Sequence, residues 1–200
     1  MASVTEVTTK AQWRTRVLAA RRSRDAVTRE TEDRALAAAA SALGDTLGPD
    51  ATVCAYVPVG LEPGSTALLD ALRPRVGRIL LPVAREPGPL HWAEYHGTEA
   101  LVSAPFGLRE PGQPHLPPSA ISEATAILIP ALAVDERGVR LGRGAGFYDR
   151  TLDLADPAAR LIAVVRDDEV VGELPDESHD IRVGWVLTPV GGLRALGIGS

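Results

Sequence analysis

The sequence predicts an α/β fold in which a central sheet lies between layers of helices. Short apolar runs typical of buried strands alternate with amphipathic or alanine-rich stretches typical of helices. Several of the apolar runs end at a proline, as buried strands often do where they leave a sheet. The 200 residues and the apolar content of 45% are enough for one large core. We therefore expect a single domain over residues 1–200, with a frayed tail from about residue 190.

Three helices are predicted in the first part of the chain. They span Thr9–Arg24, Thr28–Leu47 and Ser65–Leu72, and each begins at a residue that can cap a helix. Lys10 and Arg14 are four residues apart and project from the same side of the first helix. They are either part of a solvated cationic face or ligands for an anion.

The strands are predicted from apolar runs bounded by turn residues. They are Val53–Val57, Arg78–Leu81, Leu90–Tyr95, Ala126–Ile129, Leu161–Val165 and a last strand near Trp185–Leu187. Glu62 follows the first strand, and open α/β sheets place ligand-binding groups at the carboxyl ends of their strands. A surface carboxylate is the alternative interpretation of Glu62. The proline-rich stretch Phe106–Pro118 cannot be helical and is predicted to be a long loop.

One glycine- and arginine-rich segment has the features of a phosphate-binding loop. It follows a turn over Asp135–Gly138, and its glycines and cations are Arg140, Gly142, Arg143, Gly144 and Gly146. Glycines let the backbone approach a ligand, and arginines bind phosphate oxygens through paired donors. A helix predicted from about Gly144 to Leu154 would add free N–H groups. Asp149 could face a metal ion on the phosphates, whereas the alternative is a glycine-rich turn with solvated arginines.

This segment does not match the common nucleotide-binding loops. A P-loop needs Gly-Lys followed by Ser or Thr, which the sequence lacks. The dinucleotide fingerprint needs a third glycine where Phe147 stands, and it belongs near a first strand.

Composition restricts the class of protein. The net charge of -5 argues against a nucleic-acid-binding protein. The single cysteine, Cys54, lies in an apolar run, which fits a buried residue in a reducing compartment. No apolar stretch approaches the length of a membrane span, and the N-terminus does not resemble a signal peptide. We therefore expect a cytoplasmic protein that binds neither membranes nor nucleic acid.

Several motifs together resemble one family. The most specific is Asp135-x-x-Gly138-x-Arg140-Leu-Gly-Arg143-Gly-x-Gly146-Phe-Tyr148-Asp149. Further matches are Lys10-x-x-x-Arg14, Tyr56-x-Pro58 with Glu62 following, Leu80-Leu-Pro82, Phe106-Gly-Leu-Arg-Glu110-Pro111, and Leu174-Pro175 through His179-Asp180. Across almost its whole length the chain resembles the 5-formyltetrahydrofolate cyclo-ligase (5,10-methenyltetrahydrofolate synthetase) family.

The resemblance implies an ATP- and magnesium-dependent ligase of one-carbon metabolism. Such an enzyme phosphorylates the formyl oxygen of 5-formyltetrahydrofolate, and attack by N10 then closes the ring to 5,10-methenyltetrahydrofolate with release of ADP and phosphate. It also implies a three-layer α/β/α fold, related in layout to ribose-5-phosphate isomerase and CoA-transferase domains. We expect a monomer whose partners are these two small-molecule substrates.

The resemblance also implies a role for each matching residue. Those expected to bind ATP are Lys10, Arg14, Arg140, Gly142, Arg143, Gly144, Gly146 and Tyr148. The residues expected to be catalytic are Arg143 and Tyr148. Those expected to contact the folate are Glu62, Phe106 and Tyr148. Asp149 and Asp180 are the expected magnesium ligands. The chain departs from the family pattern at Phe147, often a tyrosine, and at Ala145, often glycine or lysine.

Two other functions compete with this one. A non-catalytic folate-binding or regulatory paralogue would have no need of the triphosphate-binding cations that the sequence retains. An RNA-associated relative is disfavoured by the acidic net charge and the few aromatic residues.

Overall fold

The computed structural model describes residues 8–83, 88–104, 109–177 and 180–197. Phe106, which we predicted to contact folate, lies outside these residues. Among the described residues, no helix has the length and apolar character needed to cross a membrane.

Four α-helices begin close to the predicted positions. They are α1 (Lys10–Ser23), α2 (Ala26–Leu47), α3 (Thr66–Leu72) and α4 (Phe147–Leu152). Thr9 caps α1 through a capping box with Gln12, and Ser65 caps α3. The α2 helix begins earlier than predicted because the Asp25 carboxylate accepts the N–H of Thr28. The α4 helix is shorter than predicted, since Gly144 and Gly146 both have positive φ and remain outside it.

A seven-stranded sheet forms the middle layer. In spatial order its strands are β12 (Gly192–Ala195), β11 (Trp185–Thr188), β9 (Arg160–Val164), β6 (Ala126–Pro130), β1 (Thr52–Cys54), β2 (Arg78–Val83) and β3 (His91–Glu94). The five inner strands are parallel, and the two edge strands pair antiparallel. The carboxyl ends of the inner strands therefore meet at one edge of the sheet.

Helical layers cover both faces of this sheet. Val53 and Leu128 pack with side chains of α2 and α3, whereas their neighbours Cys54 and Ile127 pack on the other side. That second side is covered by α4 and the 3₁₀-helix Pro118–Glu123. The alternation follows from the two-residue period of a strand. The predicted three-layer α/β/α fold is confirmed.

Within the described residues, five short strands lie outside the main sheet, and the sequence did not predict them. They are β4 (Leu101–Ser103) paired with β5 (Arg109–Pro111), and β7 (Ala133–Asp135) between β8 (Arg140–Leu141) and β10 (Val170–Val171). The β7–β8 hairpin matters most, because it delivers Arg140 to the edge of the sheet.

The end of the chain is more ordered than predicted. We expected fraying from about residue 190, but Gly192–Ala195 forms β12 against β11. The Asp167 carboxylate accepts hydrogen bonds from the Thr188 hydroxyl and from the N–H groups of Val190 and Gly191. These bonds hold the turn between the two strands. The predicted tail was therefore wrong for this segment.

Candidate functional site

Two cavities open where the parallel strands end. The first has a volume of about 290 Å³. We call it the apolar cavity, and its lining includes Tyr56, Val57, Leu90, Leu132, Phe147 and the carboxylate residue Glu62. The second has a volume of about 780 Å³. We call it the polar cavity, and its charged lining residues are Lys10, Arg14, Arg140, Asp149, Asp176, Glu177 and Asp180.

The segment 140–149, called here the glycine–arginine loop, lines both cavities. Arg140, Asp149 and three glycines (Gly142, Gly144 and Gly146) are common to the two linings. Gly144 has φ +96° and Gly146 has φ +70°, conformations that side chains other than glycine rarely adopt. The loop is thus a thin backbone wall, and groups bound on its two sides would lie close together.

The hairpin before this loop is fixed by a buried carboxylate. Asp135 accepts hydrogen bonds from the N–H groups of Arg137, Val139 and Leu174. Gly138 has φ +81°, and a Cβ atom there would lie 2.3 Å from the carbonyl oxygen of Val183. The Asp135 and Gly138 positions of the sequence motif therefore shape the approach to the loop.

Helix α1 brings its two predicted phosphate ligands to the polar cavity. The Lys10 ammonium lies 2.8 Å from the Asp180 carboxylate and 2.9 Å from that of Glu177. Partial burial disfavours the charged ammonium, but hydrogen bonds and the charges of Asp180 and Glu177 outweigh it and raise the pKa of Lys10. Arg14 donates from Nε to the carbonyl oxygen of Gly142 at 3.0 Å, which ties the helix to the glycine–arginine loop.

Arg140 is a largely buried cation of the site. Its side chain is 7% exposed, and its Nη2 donates to the Asp149 carboxylate at 2.7 Å. Its Nε is buried and has no hydrogen-bond partner within the described chain. A buried donor without a partner is costly, so Nε is available to an incoming acceptor oxygen.

Arg143 contacts a different group from the one we predicted for it. Its Nε lies 3.1 Å from Oε1 of Glu62. The other carboxylate oxygen of Glu62 accepts the backbone N–H of Val59 at 3.0 Å. A residue predicted to bind phosphate is therefore paired with the residue predicted to bind the pterin ring.

Tyr148 lines the apolar cavity and carries a second buried donor. Its hydroxyl has no hydrogen-bond partner among the described residues. Burial, followed by the charge of Glu62, raises the pKa of Tyr148 well above its ordinary value. The hydroxyl is therefore protonated at neutral pH and can donate to a bound oxygen.

The predicted metal ligands share the polar cavity but do not form a complete metal site. Asp149 is paired with Arg140, and Asp180 with Lys10. Within the described chain, no group of three or more His, Cys, Asp or Glu residues is arranged to hold a metal ion. Mg²⁺ commonly binds through one or two carboxylates together with phosphate oxygens and water, and these two hard oxygen donors fit that mode.

Sequence reasoning missed the buried ionic residues behind the site. Arg21 of α1 is buried and pairs with Glu169 at 2.6 Å. Arg166 is buried beside it and contacts Glu32. A charged residue next to a predicted strand or on a helix gives no signal that its partner will be buried with it.

The comparison with known proteins agrees with this architecture. Residues 6–189 match the model of the 5-formyltetrahydrofolate cyclo-ligase family. The chain belongs to this family. The family and the fold that the sequence motifs implied are thereby confirmed.

Individual relatives of the cyclo-ligase family resemble most of the chain. A protein named 5-formyltetrahydrofolate cyclo-ligase from Mycolicibacterium smegmatis is 55% identical over 193 residues, covering 94% of this chain and 97% of the relative. The Escherichia coli K12 protein of the same name is 31% identical over 141 residues, covering 69% of this chain and 78% of the relative.

Solved structures of cyclo-ligase relatives share the fold. The Aquifex aeolicus 5,10-methenyltetrahydrofolate synthetase has a TM-score of 0.75 and 26% identity, covering 96% of this chain and 94% of the other. The Mycoplasma pneumoniae enzyme has a TM-score of 0.69 and 16% identity, covering 88% and 96%. At that identity the second match speaks for the fold alone.

Proposed function

We propose that this protein uses ATP to cyclise 5-formyltetrahydrofolate to 5,10-methenyltetrahydrofolate, releasing ADP and phosphate. Its family supports this activity. The structural observation that carries the proposal is the glycine–arginine loop, which separates a mainly apolar cavity that includes Glu62 from a polar cavity lined by Lys10, Arg14 and Arg140. A pterin fits the first environment and a triphosphate fits the second.

The polar cavity is suited to hold the nucleotide's phosphates. Lys10, Arg14 and Arg140 supply cations from two different elements, and Gly142, Gly144 and Gly146 let the backbone approach closely. Phosphoryl transfer depends mainly on alignment and charge neutralisation, so such a site needs no protein nucleophile. Asp149 and Asp180 would hold Mg²⁺ together with phosphate oxygens, and the bound ion would neutralise part of the triphosphate charge.

The apolar cavity is suited to hold the folate. The Glu62 carboxylate can accept paired hydrogen bonds from the 2-amino-pyrimidinone edge of a pterin, and its Oε2 is already oriented by the N–H of Val59. Apolar and aromatic side chains around it exclude water from the reacting formyl group.

The reaction would take place at the wall between the two cavities. The formyl oxygen attacks the γ-phosphorus, and ADP leaves with the electrons of the broken P–O bond. The lone pair of N10 then attacks the activated formyl carbon, N10 loses its proton, and the C–O bond breaks to release phosphate. Arg143 would stabilise charge on the transferred phosphoryl group, and the Tyr148 hydroxyl would donate to an oxygen of the reacting centre.

The retained cations of the polar cavity speak against a protein that only stores folate.

The proposal is tested by turnover. Purified protein with ATP, Mg²⁺ and 5-formyltetrahydrofolate should generate the absorbance of 5,10-methenyltetrahydrofolate, and omission of ATP should abolish it. Absence of product while folate still binds would contradict the proposal and favour a non-catalytic folate-binding protein.

A further inference from the structure

The Arg143–Glu62 ion pair joins residues that the proposed function assigns to different substrates. The distance of 3.1 Å from Nε to Oε1 places Arg143 on one oxygen of the carboxylate, while Val59 donates to the other oxygen. The guanidinium therefore occupies the oxygen that a pterin donor would otherwise reach. Arg143 lines the apolar cavity and is not among the lining residues of the polar cavity, so a phosphate in the polar cavity that takes this guanidinium must draw it away from Glu62.

The two partners differ in how freely they can leave the pair. The side chain of Arg143 is 54% exposed, whereas that of Glu62 is 12% exposed. Arg143 can turn towards another anion without losing contact with solvent. Glu62 remains in place and, without Arg143, is a largely buried carboxylate that lacks its counter-ion, which is an unfavourable state.

We propose that the Arg143–Glu62 pair couples the binding of the two substrates. This inference rests on the proposed function. Folate at Glu62 displaces Arg143 and leaves it free for the phosphates, so ATP no longer has to break the pair. ATP that has taken Arg143 likewise leaves Glu62 free for folate. The cost of separating the pair is met once, by whichever substrate binds first, and each substrate therefore raises the affinity for the other by the same factor.

Calorimetric titrations measure this coupling without turnover. A non-hydrolysable ATP analogue with Mg²⁺ is titrated into the protein with and without saturating 5-formyltetrahydrofolate. We expect folate to lower the Kd of the analogue by at least about fivefold. Two ligands that both bind, but with Kd values unchanged within twofold, would overturn the coupling and leave the proposed function intact. Failure of either ligand to bind would instead count against the proposed function.

Two substitutions assign the coupling to this ion pair. With Glu62→Gln, the analogue alone should bind at least as tightly as it does to the natural protein, and the effect of folate should fall to within twofold. With Arg143→Ala, the analogue should bind more weakly, and the coupling should again disappear. Weaker binding of the analogue to the Glu62→Gln protein would contradict the proposal that Glu62 competes with the phosphates for Arg143.

A matched control lies at the opposite edge of the sheet. Glu123 pairs with Arg78 at the start of β2, far along the strand from the carboxyl ends that bear the cavities. Glu123→Gln makes the same chemical change in another carboxylate–arginine pair. This substitution should leave the coupling factor unchanged. If the coupling also disappeared in the Glu123→Gln protein, any broken ion pair would have this effect, and the Arg143–Glu62 pair would not be its source.

A second set of contacts fixes the backbone of the loop that carries Glu62. Arg166, 2% exposed, donates from Nε to Glu32 at 2.8 Å and from Nη1 to the carbonyl oxygen of Leu61 at 3.2 Å. Leu61 directly precedes Glu62 in the chain. Asp33 holds the same loop at its other end by accepting the N–H of Gly64 at 3.0 Å.

We infer that Arg166 is a positioning residue for Glu62. It is held from two sides, because Glu169 accepts its backbone N–H at 2.9 Å and Glu32 accepts its side chain. A buried, doubly anchored guanidinium gives the Leu61 carbonyl a fixed donor. The backbone before Glu62 is thereby held in register with the end of β9, which lies under the site.

Arg166→Lys keeps the charge but cannot make both side-chain contacts. It should raise the KM for 5-formyltetrahydrofolate at least about threefold and leave the KM for ATP within twofold. The same substitution in a Glu62→Gln background should add little, because contacts that act through one residue are not additive. Equal effects on both substrates, or full additivity with Glu62→Gln, would reduce Arg166 to a residue that only stabilises the fold.

Arg24 offers the matched control. It also pairs with Glu32, at 2.6 Å, but its other partner is Asp168 and not the loop before Glu62. Arg24→Lys should leave both KM values within twofold while changing thermal stability about as much as Arg166→Lys. A rise in the folate KM with Arg24→Lys would show that the ionic cluster as a whole, and not the Arg166–Leu61 bond, determines the position of Glu62.

Discussion

The two cavities share a wall but differ in how the protein prepares them for a ligand. In the polar cavity the predicted phosphate ligands are already neutralised by carboxylates, with Lys10 on Asp180 and Arg140 on Asp149. In the apolar cavity the Glu62 carboxylate is paired with Arg143, a cation of the glycine–arginine loop. The polar side is thus lined by several ion pairs, whereas most of the apolar side is apolar surface beside the Arg143–Glu62 pair.

This difference indicates how two unlike substrates could meet. A triphosphate needs several cations and tolerates water, whereas a formyl amide is activated best where water is excluded. A glycine-rich backbone wall allows the two environments to approach each other without a bulky side chain between them. Residues on the wall should therefore affect both substrates, and residues on one side should affect one.

Loss of Arg140 should have the largest effect, since it lines both cavities and is almost buried. Arg140→Met should lower kcat/KM by about 10²–10³, the usual effect of removing a preorganised donor. Initial rates of methenyltetrahydrofolate formation measure this. Arg160→Met, which removes an arginine stacked on Trp185 at the other end of the sheet, is the control and should be nearly neutral. A similar loss for both variants would contradict the placement of Arg140 in the site.

Tyr148→Phe separates catalysis from stability. The hydroxyl has no hydrogen-bond partner among the residues that the structure describes, so its removal should leave the free energy of unfolding unchanged or slightly higher. If it donates to the reacting oxygen, kcat should nevertheless fall by at least about tenfold. Denaturant unfolding measures the free energy of unfolding, and steady-state kinetics measure kcat. Unchanged kcat would remove the hydroxyl from the mechanism.

Arg143→Ala tests the phosphate contact proposed for this residue of the glycine–arginine loop. We expect the KM for ATP to rise, or kcat to fall, by about tenfold, because a charge-assisted phosphate contact is lost. Steady-state kinetics with ATP varied at saturating folate measure it. Unchanged kinetics would exclude Arg143 from phosphate binding.

Glu62→Gln should act on the folate side alone. We expect the KM for 5-formyltetrahydrofolate to rise by several-fold to about tenfold while the KM for ATP stays the same or falls, because a neutral amide binds the pterin donors less strongly than a carboxylate does. The comparison needs both substrates varied in turn. Equal increases in both KM values would mean that Glu62 does not contact the folate alone.

The smallest expected change is with pH. Because burial raises the pKa of Tyr148, its hydroxyl should remain protonated in the alkaline range. The kcat ratio of the natural protein to Tyr148→Phe should stay constant from about pH 7 to about pH 10, the ordinary pKa of a tyrosine. A ratio that falls towards one as the pH approaches 10 would show that the hydroxyl ionises there.

Local patterns were enough to predict the framework of the fold. Apolar runs ending at Pro58, Pro82 and Pro130 marked inner strands at the edge where the cavities open. Capping residues located the helix starts to within a few positions. The β7–β8 hairpin and β12 were missed, because strands of two to four residues depend on distant contacts more than on their own sequence. Such contacts are the hydrogen bond from Leu174 to Asp135 and the one from Val190 to Asp167.

The residues that make up the site were easier to predict than the contacts between them. Motif spacing brought attention to Lys10, Arg14, Arg140, Arg143 and Asp149, and the structure places all of them around the two cavities. The pairing of Arg143 with Glu62 could not be read from the chain, since the two residues lie on different loops and their meeting depends on the order of strands in the sheet. The buried Arg166 is similar, because its contacts come from α2 and from the loop after β1.

A crystal structure with a non-hydrolysable ATP analogue, Mg²⁺ and 5-formyltetrahydrofolate tests the central claim most directly. The account predicts the triphosphate in the polar cavity against Lys10, Arg14 and the glycine–arginine loop, and the pterin on Glu62 in the apolar cavity with Arg143 turned away from it. A triphosphate bound out of contact with residues 140–149 would contradict the account.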